Sequence, residues 1–238
     1  MRPQAIVYSE NEFGKIDGKV ANGLVRQSDK YQIVAIIDST KAGLDSGEVL
    51  DNIKNGILIC KSIKEAIHSL KTAPKYFIYG IAPLETYLDF DQRNVIIEAM
   101  KNGMNIINGL AEFFTEDKEF VEAAILYHVT IKDIRKPPSR KEMHLFTGDI
   151  QNVTTPVIAI MGTDCAVGKR TTALKLVQAL RRHGLKAIFI ATGQTGLLQG
   201  AKYGADVEVL SSGFATGEIE HAILEADKES PDIIVVEG

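Results

Sequence analysis

Tryptophan is absent from the 238 residues, cysteine occurs twice and proline seven times. Two cysteines, Cys60 and Cys165, exclude a disulfide framework, and no Cys/His cluster has the spacing of a zinc site. No apolar run approaches the ~18 residues that a bilayer-spanning helix needs. Positive charge is not in excess either: 27 Lys and Arg against 31 Asp and Glu leave a net charge of −4. That balance argues against a general nucleic-acid binder, whose basic face raises the pI. The opening residues, MRPQAIVYSENEFGK, turn acidic after a short apolar run, unlike a secretory signal. The expectations are a reducing cytoplasm, no membrane and no nucleic-acid partner.

The remainder is ordinary for a globular protein, with 45% hydrophobic and 24% charged residues. The length suits one large domain or two small ones. Short apolar runs recur at Ala5–Tyr8, Ile33–Ile37, Gly56–Cys60, Tyr76–Tyr79, Asn105–Ile107, Val157–Met161, Ala187–Ile190 and Ile233–Val236. Several are Ile/Val-rich on both faces, as strands of a covered parallel sheet are. Helical stretches alternate with them: Ile63–Leu70, capped by Ser62 with Glu65 completing a capping box, then Arg93–Lys101, Asp117–His128 and Thr171–His183. The pattern predicts an α/β fold.

The Pro- and cation-rich stretch 136–153 reads as a linker. It separates an N-terminal Rossmann-like parallel-sheet domain, 1–135, from a P-loop NTPase-like α/β domain, 154–238. The P-loop domain reads as incomplete. About three strands bury little core, so the chain is expected to be a truncated piece of a longer protein, with the Ile233–Val236 strand poorly covered.

Strand VIAIM runs into GTDCAVGKRTT and then a helix. Gly162, Gly168 and Lys169 give G-x-x-x-x-x-G-K, one residue longer than the usual P-loop. Glycines permit tight turns, successive N–H groups form an anion nest, and a helix N-terminus adds partial positive charge. The expected phosphate-binding set is Gly162, Thr163, Asp164, Cys165, Ala166, Val167, Gly168, Lys169, Arg170, Thr171 and Thr172. Glu237 ends the apolar run IIVVEG, where P-loop proteins hold Mg²⁺. Thr192, Gln194 and Thr195 sit on a Gly-rich segment after strand AIFI, a candidate substrate loop. Arg170 is discordant, because a P-loop NTPase has Ser or Thr there as a metal ligand. Either Thr171 serves the metal with Glu237, or the loop suits a pyrophosphate such as that of coenzyme A.

In the first domain no G-x-G-x-x-G follows the strand Ala5–Tyr8, which argues against NAD even though Asp38 ends a strand where a dinucleotide fold places its ribose acid. Gly14, Lys15, Gly18 and Lys19 read as an anion-binding turn. Asp133, Arg135 and Arg140 read as a carboxylate-recognition group, with Arg135 the substrate-binding candidate.

The loop GTDCAVGK resembles that of dethiobiotin synthetase, as VVEG resembles its acidic strand end. More of the chain resembles the bacterial domain-of-unknown-function family 1611. The matching stretches are GKVANGLVR, VAIIDSTKAGLDSGE, YGIAP, DIRKPP, GTDCAVGK-x-TT, TGQTG-x-LQGA-x-YG and IIVVEG. That resemblance implies a Rossmann-like domain joined to a P-loop domain. It also implies transfer of acetyl from acetyl-coenzyme A to a D-amino acid such as D-glutamate, in a homo-oligomer. Glu237 and Asp164 are then the candidate bases. The family has Gly after the AP of GIAP and His after the NGL turn. Leu84-Glu85 and Ala111 stand there in this chain, which implies a different amino-acid preference. The resemblance to dethiobiotin synthetase implies instead an ATP ligase or kinase with Mg²⁺. A non-catalytic nucleotide sensor is the third reading.

Overall fold

The structure, a computed structural model, describes residues 1–82, 87–164 and 167–238. The chain divides into two compact units, 1–136 and 137–238. Among the described residues no helix is long and apolar enough to cross a membrane.

The first unit holds strands β1 (Gln4–Tyr8), β2 (Gln32–Ile37), β3 (Leu58–Cys60), β4 (Tyr76–Tyr79), β5 (Asn105–Asn108) and β6 (Ile131–Asp133). Between them run helices α1 (Lys19–Arg26), α2 (Ser46–Asp51), α3 (Ile63–Leu70), α4 (Phe90–Lys101) and α5 (Lys118–Leu126). The strands pair in parallel in the order β3-β2-β1-β4-β5-β6, so the winding reverses between β1 and β4. Ile6, Tyr8, Phe77 and Tyr79 pack with Ile96 and Met100 of α4 and Phe120 of α5. The α3 cap differs from the expected box. Ser62 accepts from the Glu65 N–H, but the Glu65 carboxylate accepts from Lys61, one residue before the cap.

The strand ends of this unit are closed by its own groups. Asp38, fully buried after β2, accepts from the N–H groups of Asn11, Phe13 and Thr40, and from the Lys41 ammonium. It ties down the β1–α1 loop, so it is already committed where a ribose acid would be free. Asp133 does the same for the loop before α5, accepting from Asn108 Nδ2 and the Phe114 and Thr115 N–H groups. The anion-binding turn expected at Gly14–Lys19 is filled from within. Gly14 N–H donates to Asn22 Oδ1, Lys19 N–H to Ile16 O and Ala21 N–H to Gly80 O. Gly80 must be glycine: a Cβ there lies 2.5 Å from Val7 Cγ1 and 2.8 Å from Tyr8 O.

The second unit contains β7 (Val157–Ile160), β8 (Ala187–Ala191), β9 (Tyr203–Gly204) and β10 (Ile233–Glu237), with helices α6 (Lys169–Arg182), α7 (Gln194–Gln199) and α8 (Ser212–Asp227). The sheet is again parallel, in the order β7-β10-β8-β9. Alternate residues face opposite covers. Ala187, Phe189 and Val235 pack on Ala173, Leu174 and Val177 of α6, while Ile188, Ile190 and Ile234 pack on Ala222, Ile223 and Ala226 of α8. The expectation of a poorly covered last strand is overturned. β10 lies between β7 and β8, and Ile234 and Val235 are fully buried. The exposed strand is β7, where Val157 and Ile158 are 41% and 38% accessible. Residues 137–153 belong to this unit and lie along α8, where buried Glu220 accepts from the Thr147 and Ile150 N–H groups.

Burial pushes the Asp38 carboxyl up, but bonds from Thr40 and Lys41 outweigh it and hold it below the usual range. Asp38→Ala is therefore expected to destabilise the first unit by about 2–3 kcal/mol near neutrality. A depressed carboxyl stabilises above its unfolded pKa of about 3.9 and loses that effect as pH falls through the folded value. The gap between wild type and variant in urea unfolding should thus shrink on acidification. A gap that is negligible at pH 7, or that grows in acid, contradicts the clamp.

Candidate functional site

The site is built where β7 hands the chain to α6. Gly168 caps α6 at φ +99°, a conformation open to glycine, and supplies no side-chain acceptor. The first turn contains no acid and begins Lys169-Arg170. Thr172 N–H donates to Gly168 O. No acceptor among the described residues takes the N–H groups of Lys169, Arg170 or Thr171. Two cations therefore stand at the positive end of a 14-residue helix. The stem of Lys169 folds back along the loop. A Cβ on Gly162 would lie 2.8 Å from both Lys169 Cγ and Cδ, and 2.8 Å from Val167 Cγ2. Gly162 is the place where the lysine crosses.

Thr163, Asp164, Val167, Thr171 and Thr172 are exposed, and Gly168, Lys169 and Arg170 half-buried. Cys165 and Ala166, named with them from the sequence, lie outside the described residues.

Because β10 is central, its last residue, Glu237, arrives beside this helix start. Glu237 is half-buried, and its Oε2 accepts from the Thr192 N–H at 3.4 Å. Burial raises its carboxyl above the usual range, against the pull of the Arg170 and Lys169 charges and the Thr192 bond. Arg170 is lowered from its ordinary value by burial, with Glu237 opposing the shift. The two are thus electrostatic neighbours.

The segment after β8 is not an open loop. Thr192 contributes its backbone N–H, whereas Gln194 and Thr195 are buried in the first turn of α7. Gln194 Oε1 has no hydrogen-bond partner among the described residues. Gly196 lets α7 approach: a Cβ there would lie 2.7 Å from Ala191 Cβ and 2.9 Å from Glu237 Oε2. Asp206, also buried, accepts from the Glu208 N–H and adds a like charge near Glu237. Nothing in its sequence context distinguishes it from an ordinary turn aspartate.

Lys169, Arg170, Thr192 and Glu237 are therefore brought together at one end of the second sheet, with Gln194 and Thr195 behind them. Arg135 lies in the first unit, half-buried two residues after Asp133. The grouping of Asp133, Arg135 and Arg140 does not form within either unit. Asp133 is committed to the loop before α5, and Arg140, in the second unit, lies 5.8 Å from the centre of the Phe214 ring. Among the described residues no three His, Cys, Asp or Glu side chains come together in a group able to hold a metal ion.

Comparison with known proteins agrees with this division. Residues 39–137 match the DUF1611_N Rossmann-like domain, and residues 144–238 match the DUF1611_C P-loop domain, both of unknown function. A Pseudoalteromonas protein named D-glutamate N-acetyltransferase is 32% identical over 201 residues, which are 83% of this chain and 58% of that protein. One of the same name from Tritonibacter scottomollicae is 26% identical over 69% of this chain and 48% of its own length. The chain thus spans about half the length of the curated relatives it matches. The crystal structure of a DUF1611 family protein from Anabaena variabilis superposes with a TM-score of 0.88 at 27% identity, covering 100% of this chain and 66% of that one.

The Gly196 contact is directly testable. Gly196→Ala forces a methyl against Ala191 and the Glu237 carboxylate, and overpacking of this kind costs about 1–3 kcal/mol. Thermal unfolding of the second unit should shift down accordingly. An unchanged melting temperature contradicts the close approach of α7 to β10.

Proposed function

The chain belongs to the DUF1611 family, a Rossmann-like domain followed by a P-loop domain, and from that premise we propose that it transfers an acetyl group from acetyl-coenzyme A to the amine of a D-amino acid such as D-glutamate. The observation that carries the reading is the start of α6. A helix end whose glycine cap supplies no side-chain acceptor, bearing Lys169 and Arg170 and no acid in its first turn, suits a dianionic phosphate group. The pyrophosphate of coenzyme A fits that charge. The names of the two relatives supply the reaction class.

In the proposed reaction the substrate amine, after losing a proton, attacks the thioester carbonyl. The new C–N bond forms, the C–S bond breaks, and the thiolate leaves and takes up a proton. Glu237 stands beside the cations that hold the phosphates, a full pantetheine arm from the thioester, so its proposed part is counter-charge to Arg170, and the amine proton passes to solvent or to a base outside this loop. Lys169 and Arg170 hold the phosphates. Gln194, whose buried Oε1 has no partner among the described residues, offers an acceptor to a ligand donor at this end of the sheet.

The test combines turnover with binding. Incubation with acetyl-coenzyme A and D-glutamate, then other D- and L-amino acids, should release free thiol and yield N-acetyl product. Lys169→Ala should weaken coenzyme A binding roughly ten- to a hundredfold, the loss of one charge-assisted contact. Glu237→Gln removes the counter-charge of Arg170 and should change coenzyme A affinity while leaving kcat nearly unaltered. Phosphate release from ATP with no acetyl transfer, or coenzyme A affinity undiminished in Lys169→Ala, contradicts the reading.

A further inference from the structure

The P-loop fold implies a magnesium ion held by the hydroxyl that follows the lysine and by a carboxylate at a neighbouring strand end. The residues of this chain do not fit one. The second helical position of α6, where the hydroxyl ligand stands, is Arg170, and its charge is felt at Glu237. Thr171 is one position further on, about 100° around the helix, and its side chain is exposed. Glu237 Oε2 is already engaged by the Thr192 N–H, with Gly196 against it. The carboxylate that would serve the metal has the Arg170 charge as its electrostatic neighbour.

We propose that the second unit binds its phosphate-bearing ligand without a divalent cation, Arg170 supplying from the chain the positive charge that other P-loop sites import as Mg²⁺, with Glu237 as its counter-charge. The proposal rests on the reading of this loop as the coenzyme A phosphate site, and extends it to what the site excludes. A guanidinium offers fixed donors to two phosphate oxygens, which suits a ligand whose pyrophosphate is held and not cleaved. A nucleoside triphosphate normally presented as its magnesium complex would bring a second cation toward Arg170. The site therefore selects a metal-free diphosphate ester.

Isothermal titration of coenzyme A, ADP and inorganic pyrophosphate into the whole chain, each with magnesium and with EDTA, tests this. The expected result is coenzyme A affinity that changes less than about twofold on chelation. Arg170→Thr should weaken binding in EDTA roughly ten- to a hundredfold, with magnesium restoring part of the loss. Coenzyme A binding that collapses in EDTA for the wild type overturns the metal-free proposal and leaves the coenzyme A reading intact. Metal-independent binding of ADP and pyrophosphate with none of coenzyme A does the reverse. Binding of none of the three under either condition overturns both. The wild-type comparison alone decides the metal question if Arg170→Thr does not fold.

Discussion

The second unit is organised around an arrangement that is unfavourable on its own terms. A helix places partial positive charge at its first turn, and cations there cost a few tenths of a kcal/mol or more each. α6 nonetheless begins with Lys169 and Arg170, has no acid in that turn, and is capped by a glycine with nothing to offer the N–H groups. An arriving anion reverses the sign of every one of these terms. The surrounding structure serves the same point. Gly162 leaves room for the lysine stem, and the central placement of β10 brings Glu237 into the field of both cations, Arg170 more than Lys169.

The first unit shows that the fold alone does not do this. It too is a parallel sheet with a glycine-bearing loop before its first helix, and its strand order reverses at β1 and β4. There the strand ends are sealed from inside. Asp38 and Asp133 collect the loop N–H groups, and the carbonyl of Gly80 takes the Ala21 N–H of α1. The two units differ in their backbone donors: those at the strand ends of the first have acceptors, whereas among the described residues none takes the N–H groups of Lys169, Arg170 or Thr171.

Much of this was legible in the amino-acid sequence, for identifiable reasons. Strands of a covered sheet announce themselves as short apolar runs, several of them Ile/Val-rich, and eight of the ten strands are marked in this way. The other two, β6 and β9, read IKD and YG and contain no apolar run. α8 contains Gly213 and Gly217, which weaken a helical signal. Gly217 is there because a Cβ would lie 2.2 Å from His144 O, a contact between residues far apart in sequence. The G-K pair and the VVEG strand end marked Lys169 and Glu237 as members of one site. That Arg170 and Glu237 answer one another depends on β10 lying between β7 and β8, which no local pattern encodes. The anion turn expected at Gly14–Lys19 is filled by near neighbours in sequence, Gly14 N–H on Asn22 Oδ1, Lys15 N–H on Glu12 O and Lys19 N–H on Ile16 O, pairings that a glycine and lysine pattern does not reveal.

The central claim is that the open donors at the start of α6 hold the phosphates of the acyl donor. A crystal structure of the chain with coenzyme A tests it most directly. The account predicts pyrophosphate oxygens within hydrogen-bond distance of the Lys169 and Arg170 N–H groups, with the Lys169 ammonium on one of them and no metal between the phosphates and Glu237. A coenzyme bound with its phosphates on the first unit, or bridged to Glu237 through a cation, would contradict it.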